Sequence, residues 1–151
     1  MNVNSEHSHG VLRMWHDHLG MPIESQKWYE QDLRDEMAEY HEEKFGILKL
    51  SELSDVVYTC SRAAWNGYSL TFPFSPVMYA LGAAYMLPKY TLRWAFFKKA
   101  GNRAGSSLQL RDVRNPRKTL KLRLIANENS IDPDVFERVC KAQLKYWLLL
   151  P

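Results

Sequence analysis

The sequence predicts a mainly α-helical fold, and three observations carry that prediction. Apolar residues recur three to five positions apart in several stretches, as on the buried face of a helix. Residues suited to helix starts and ends flank these stretches. Two acidic pairs, Glu36 with Glu39 and Glu52 with Asp55, have the i,i+3 spacing that puts two carboxylates on one helix face. At 151 residues, the chain is long enough to bury a core as one domain.

Residues 1–21 are predicted to be an N-terminal tail that leads into a short element. The tail holds two His-x-His pairs, formed by His7, His9, His16 and His18. On a strand, alternate residues share a face, so these histidines could bind a transition metal. The alternative is a polar, partly disordered tail. Trp15 is a candidate for stacking on a flat ligand if the segment folds back over a site.

The first long helix is predicted from Ser25, a candidate N-cap, to about Phe45. A second helix is predicted to start at Ser51, also a candidate N-cap, and to stop near Asn66-Gly67. If the two helices are antiparallel neighbours, four carboxylates converge and require a cation between them. Hard divalent cations such as Mg²⁺ prefer oxygen ligands. The alternative is that the acidic stripe is an ordinary solvated helix face.

Two more helices are predicted in the middle of the chain. Residues 77–87 form a short apolar helix that ends at Pro88, and residues 91–103 form another. The second carries Lys98, Asn102 and Arg103, which offer a cation, an amide and a guanidinium to a polyphosphate. Basic residues at a helix C-terminus also stabilise the helix dipole, which is the alternative reading.

The C-terminal region combines a basic stretch with a predicted strand and helix. Residues 119–125 alternate apolar and polar side chains, which predicts a strand. Asp132 as N-cap and Pro133 at the first position predict a last helix, and the apolar residues 147–151 are expected to pack on the domain or on a partner. The basic residues are a candidate nucleic-acid patch, but no aromatics are interleaved, and a nucleic-acid partner is not expected. They are Arg111, Arg114, Arg117, Lys118, Lys121 and Arg123.

Composition sets the compartment and limits the partners. The net charge is +3, from 20 basic and 17 acidic side chains, which is too small to indicate nucleic-acid binding by itself. The acidic residues are concentrated in residues 24–55 and the basic residues in 89–123. Two cysteines without a CxxC spacing favour a reducing interior. No signal peptide or membrane-spanning stretch is evident, so we expect a soluble cytoplasmic protein without a membrane partner.

The acidic helices resemble a known group, the all-α MazG-like nucleotide pyrophosphohydrolases. That family carries E-E-x-x-E on one helix and E-x-x-D on the next, and here the residues read Asp35-Glu36-x-x-Glu39 and Glu52-x-x-Asp55. The run from Glu52 to Tyr58 is similar to the family's E-L-x-D-V-hydrophobic pattern. Lys98-x-x-x-Asn102-Arg103 is similar to the K-x-x-x-N-R sequence of the dCTP-pyrophosphatase-like branch. The resemblance covers about residues 28–103.

The resemblance implies a MazG-like helical core in residues 22–110, with an insertion around 67–90 and a C-terminal extension in 111–151. It also implies hydrolysis of a nucleoside triphosphate to the monophosphate and pyrophosphate, in a homodimer or a dimer of dimers. Mg²⁺, or alternatively Mn²⁺, would bind the metal ligands Glu36, Glu39, Glu52 and Asp55. Glu39 or Asp35 would act as the catalytic base. Lys98, Asn102, Arg103, Trp28 and Trp15 would bind substrate.

A function of a different class remains open at this point. A MazG-like fold could serve as a non-catalytic binding or assembly protein that docks a partner through residues 111–151. The Pro-containing insertion and the extension have no counterpart in compact family members, so they do not identify the substrate.

Overall fold

The computed structural model describes residues 6–151, with side chains described from residue 10 onward. Six helices form this part of the chain, and no strand occurs within it, so the predicted all-α fold class is confirmed. None of these helices is both long enough and apolar enough to cross a membrane. The helices are α1 (Glu6–Leu19), α2 (Gln26–Glu42), α3 (Gly46–Trp65), α4 (Pro76–Arg103), α5 (Thr119–Glu128) and α6 (Pro133–Leu144).

The chain divides into two compact units, Met1–Pro88 and Lys89–Pro151. The division falls inside α4, at its internal proline, Pro88. It differs from the boundary expected near residue 110.

In the first unit, α2 and α3 pack side by side and α1 packs against α3. Tyr40 of α2 and Leu53 and Val56 of α3 form a buried cluster between the paired helices. The start of α4 packs on α3 at Gly82, where an added Cβ would lie 2.6 Å from Val57 Cγ2. The missing side chain therefore allows α4 to approach α3 closely.

In the second unit, α5 and α6 pack together over the C-terminal part of α4. The fully buried side chains of Phe96, Phe97, Ile125 and Phe136 lie at the centre of this core. The Gln143 amide of α6 donates a buried hydrogen bond of 2.8 Å to the Phe96 carbonyl. Leu150 is buried in the same core, so part of the apolar C-terminal segment packs on the domain as expected.

Three predicted helix ends are confirmed. Ser25 caps α2 by accepting from the Trp28 amide at 3.2 Å. Asn66 follows the last residue of α3. Asp132 caps α6, whose first residue is Pro133.

Four other local predictions are wrong. Residues 119–125 are not a strand but the start of α5, whose Leu122, Ile125 and Ala126 are spaced for one buried helix face. Ser51 is inside α3, which already begins at Gly46. The two helices predicted on either side of Pro88 are one continuous helix, α4. Most of the predicted N-terminal tail is helical, since α1 spans Glu6–Leu19.

Candidate metal centre

The candidate metal centre lies where α2 and α3 run antiparallel. Lys49 near the start of α3 donates to the Tyr40 carbonyl near the end of α2, at 3.1 Å. Further along, the Thr59 hydroxyl of α3 donates to Asp32 Oδ2 of α2, at 2.6 Å. Residue numbers therefore decrease along α2 while they increase along α3, as expected for antiparallel helices. In this register the acidic pair of α2 lies opposite the acidic pair of α3.

Three of the predicted metal ligands converge. One carboxylate oxygen from each of Glu36, Glu39 and Glu52 lies within 4.8 Å of the other two. Glu36 and Glu52 are half-buried, and Glu39 is exposed. The group is thus reachable from solvent on one side and held between helices on the other.

The fourth predicted ligand, Asp55, acts electrostatically on the same group. Burial, and after it the negative charges of Asp55, Asp32, Glu39 and Glu52, together raise the pKa of Glu36 to about 8. A carboxyl with this pKa binds a proton at neutral pH unless a cation offsets the charges of its neighbours. The donor set consists of carboxylate oxygens, which suits a hard divalent cation such as Mg²⁺ or Mn²⁺.

Asp32 and Thr59 lie on the same two helices as the converging carboxylates, and neither was predicted to be a site residue. Burial raises the pKa of Asp32, while the Thr59 hydroxyl and the Arg62 charge act to lower it. The signal was present in the sequence: Asp32 precedes Glu36 by four residues, one helical turn. Thr59 follows Asp55 by the same interval on α3.

An arginine among aromatic rings lies further along α3. Arg62 is buried, and its guanidinium carbon lies 5.2 Å from the centre of the Trp28 ring, 5.7 Å from that of Tyr29 and 6.0 Å from that of Tyr58. Its Nη2 donates to the Pro22 carbonyl at 2.5 Å. Trp15 of α1 contacts the Tyr58 ring edge-on, with centroids 6.2 Å apart. Of the two predicted stacking residues, Trp15 thus borders the Tyr58 ring and Trp28 borders the Arg62 guanidinium, and both contacts are with the α3 segment that follows Asp55.

The predicted base Asp35 is not one of the converging carboxylates. Its side chain is exposed on α2 and accepts a hydrogen bond of 2.8 Å from the Gln31 amide. Its charge contributes to the raised pKa of Asp32. Glu39, the other predicted base, is in the converging group.

The predicted phosphate-binding residues belong to the second unit, on the last turns of α4. Asn102 and Arg103 are exposed. The Lys98 ammonium lies 5.0 Å from the centre of the Trp94 ring. All three side chains lie within six residues of one helix.

The proposed histidine metal site does not form from His16 and His18. On α1 these residues point to different faces, and His16 is buried while His18 is exposed. The Nε2 atom of His16 lies 2.9 Å from the Ser61 hydroxyl oxygen. The side chains of His7 and His9 lie outside the described part of the structure.

The arrangement can hold a divalent cation between two helices, beside aromatic side chains. No family model, curated protein or solved structure matches the chain.

Proposed function

We propose that this protein hydrolyses a nucleoside triphosphate to the monophosphate and pyrophosphate, with a divalent cation held by Glu36, Glu39, Glu52 and Asp55. The observation that carries the proposal is the convergence of Glu36, Glu39 and Glu52 within 4.8 Å across two antiparallel helices. Three carboxylates this close together, with the charge of Asp55 also acting on Glu36, would favour a bound cation, and the same charges contribute to the raised pKa of Glu36. The choice of reaction rests on the resemblance to MazG-like nucleotide pyrophosphohydrolases.

Mg²⁺ or Mn²⁺ would supply Lewis-acid charge that neutralises phosphate oxygens and acidifies the attacking water. Glu39 is exposed beside the cation ligands, so it can accept a proton from that water, and Asp35 one turn away is the second candidate base. Water would add to the α-phosphorus as the bond from that phosphorus to the α–β bridging oxygen breaks, and this oxygen would leave with the pyrophosphate. Positioning and charge stabilisation carry most of such a reaction.

The resemblance also implies roles in substrate binding for residues of each unit. In the second unit, Lys98 and Arg103 would offer positive charge to a pyrophosphate, and Asn102 would offer an amide to phosphate or sugar. Trp15 and Trp28 present half-buried or exposed aromatic faces suited to stacking on a base.

The test is pyrophosphate release from a panel of canonical and modified nucleoside triphosphates with Mg²⁺, Mn²⁺ or EDTA. We expect release that requires metal and falls by at least about 100-fold in Glu52→Gln and Asp55→Asn, since each variant removes a charged ligand of the cation. Glu42→Gln is the matched control, because Glu42 is exposed at the end of α2 and outside the converging group. Equal activity in Glu52→Gln and Glu42→Gln would contradict the proposal.

The competing function is a non-catalytic protein that docks a partner through residues 111–151. The observation in its favour is that Tyr146, Leu148 and Leu149 are 84%, 80% and 91% exposed. Large apolar side chains at this exposure are typical of an interaction site. A folded protein that binds Mg²⁺ but releases pyrophosphate from no triphosphate would favour this function over hydrolysis.

A further inference from the structure

The modest net charge of the chain conceals a strong separation of charge between its two units. Residues 89–151 contain fourteen Lys and Arg against five Asp and Glu, and residues 1–88 contain six against twelve. The second unit therefore carries nine excess positive charges within 63 residues. A basic excess of this size is the electrostatic footprint of a unit that binds a polyanion.

The five acidic residues of the second unit are already engaged within it. Asp112 and Glu128 pair with Arg114. Asp134 and Glu137 pair with Arg123 at 2.9 and 2.8 Å, and Glu137 also pairs with Lys141. Asp132 caps α6 by accepting from two backbone amides. These ion pairs involve three basic residues of the unit, Arg114, Arg123 and Lys141.

Three other basic residues form a cluster where α5 begins, and we call Arg117, Lys118 and Lys121 the α5 basic cluster. All three are exposed. None of them forms an ion pair within the described part of the chain. The first turn of α5 contains no acidic residue. The cluster is therefore an accessible, uncompensated patch of positive charge.

We propose that the second unit binds the phosphate backbone of nucleic acid through the α5 basic cluster. Lysine and arginine heads that neutralise backbone phosphates release condensed counterions, which drives sequence-independent binding. Lysine ammonium groups on flexible stems suit phosphates and not particular base edges, so we expect little sequence preference. This binding is independent of the proposed hydrolysis, because it uses none of the four carboxylates.

An anionic lipid surface is the competing polyanion. Its binding would require apolar side chains that insert beside the cations. On α5, the apolar residues Leu122, Ile125 and Ala126 are buried in the core, and only Leu120 and Leu124 are exposed. Two leucines on a ten-residue helix offer little area for insertion, so the charge pattern favours nucleic acid.

The experiment is fluorescence anisotropy of labelled single-stranded and duplex oligonucleotides with the full chain, at salt concentrations from about 50 to 200 mM. We expect affinity that falls with salt and is weaker in Lys118→Ala/Lys121→Ala. If both lysines contact phosphates, the negative slope of log affinity against log salt is shallower in this variant than in the wild type, by about 1.4 for single strands and about 1.8 for duplex. Lys27→Ala/Lys44→Ala is the matched control, since it removes two exposed lysines from the acidic unit and should leave binding unchanged.

Two further arms make the result decisive. Glu52→Gln should bind oligonucleotide as the wild type does, which separates this site from the proposed metal centre. Vesicles with and without anionic lipid test the competing surface. The proposal is overturned by absence of oligonucleotide binding at low salt, by equal weakening in the two lysine pairs, or by binding to anionic vesicles alone. Circular dichroism checks the fold, and Lys118→Gln/Lys121→Gln replaces the alanine pair if that pair unfolds.

Discussion

At the scale of single residues, burial and the neighbouring negative charges both disfavour the charged form of Glu36. Its carboxyl is half-buried between α2 and α3 and faces Asp55, Asp32, Glu39 and Glu52. Burial and these charges raise its pKa from 4.5 to about 8. The folded protein therefore binds a proton at Glu36 more tightly than the unfolded chain does. Without a cation, this residue destabilises the fold progressively as pH rises from about 4.5 to about 8.

We predict that Glu36→Gln raises the melting temperature in EDTA at pH 8 by at least several degrees. The amide keeps the size of the side chain and carries no charge, and each kcal/mol moves the melting temperature by about 2–4 °C in a chain of this size. At pH 4.5 the gain should be small, because the carboxyl is protonated in the folded state. Thermal unfolding followed by circular dichroism in both buffers measures the difference.

Glu42→Gln is the control for that experiment, since Glu42 is exposed on the same helix. If Mg²⁺ binds as proposed, it should stabilise the wild type at pH 8 and stabilise Glu36→Gln less. If the melting temperature of Glu36→Gln at pH 8 in EDTA equals that of the wild type or falls below it, the charged form of Glu36 does not destabilise the fold.

The sequence was informative for residues whose spacing reports their helix face. The i,i+3 acidic pairs predicted that four carboxylates converge, and three of them, Glu36, Glu39 and Glu52, do so. Spacing puts Thr59 one turn after Asp55, but the contact of Thr59 with Asp32 and the effect of Arg62 on Asp32 could not be predicted, because both depend on which α3 residue lies opposite Asp32. That register is set by packing between helices and not by spacing within one.

At the scale of helices, Gly82 fixes the approach of α4 to α3. Gly82→Ala would place a Cβ 2.6 Å from Val57 Cγ2 and 3.2 Å from Leu53 Cγ and from the Leu53 carbonyl oxygen. Val57 is fully buried, and a contact of 2.6 Å is too short for a Cβ, so Val57 or the helix backbone would have to shift. We predict a loss of about 1–3 kcal/mol in the free energy of unfolding, measured by urea titration.

Gly10→Ala is the matched control, because Gly10 is also inside a helix, α1, but a Cβ there meets nothing within 4 Å. Alanine is the better helix former, so this variant should gain up to about 1 kcal/mol. If Gly82→Ala is as stable as Gly10→Ala, the close α3–α4 contact does not limit stability.

His16 attaches α1 to α3. The ring is 1% exposed, stacks on Trp65 with centroids 5.8 Å apart and lies near Tyr58. The Ser61 hydroxyl donates to the Tyr58 carbonyl at 3.1 Å, so the neutral His16 Nε2–H donates to Ser61 Oγ. Burial and the Arg62 charge lower the pKa of His16 to about 4, although the Asp17 charge raises it.

We predict that the free energy of unfolding of the protein decreases through His16 as pH falls from about 6.5 to about 4. In that range the unfolded chain binds a proton at His16 and the folded chain does not, which costs up to about 1.4 kcal/mol per pH unit. Urea unfolding at pH 7 and pH 4.5 measures the loss, in a Glu36→Gln background because Glu36 acts in the opposite direction. Adding His16→Gln should flatten the pH dependence, and an unchanged dependence would exclude His16 as its source.

Helix boundaries divided into predictable and unpredictable cases for physical reasons. Ser25 and Asp132 are side-chain caps whose chemistry is local, and both were predicted. Ser51 has the same chemistry, but α3 had already begun at Gly46, whose φ of +76° suits a glycine at a turn. Residues 119–125 alternate in polarity over a span too short to separate a strand from a helix, and burial of Leu122, Ile125 and Ala126 selects the helix.

At the scale of the molecule, the exposed face of α4 bears on the predicted homodimer. No charged residue occurs from Pro76 to Pro88. Val77 and Leu81 are 69% and 55% exposed, and Ala80 and Ala84 are exposed beside them. An uncharged, apolar helix face of this kind suits burial against another protein surface.

We predict that the protein is at least a dimer in solution and that Val77→Lys/Leu81→Lys shifts it toward the monomer mass of 17.7 kDa. Two charges would have to be buried without partners in a self-associated state that covers this face, which opposes association. Light scattering coupled to size exclusion, over a range of concentrations, measures the mass.

Val11→Lys/Met14→Lys is the matched control, because these α1 residues are 62% and 73% exposed and lie on a different helix. A wild-type mass of one chain at every concentration contradicts the dimer, and equal dissociation by both pairs contradicts the assignment of the interface to α4.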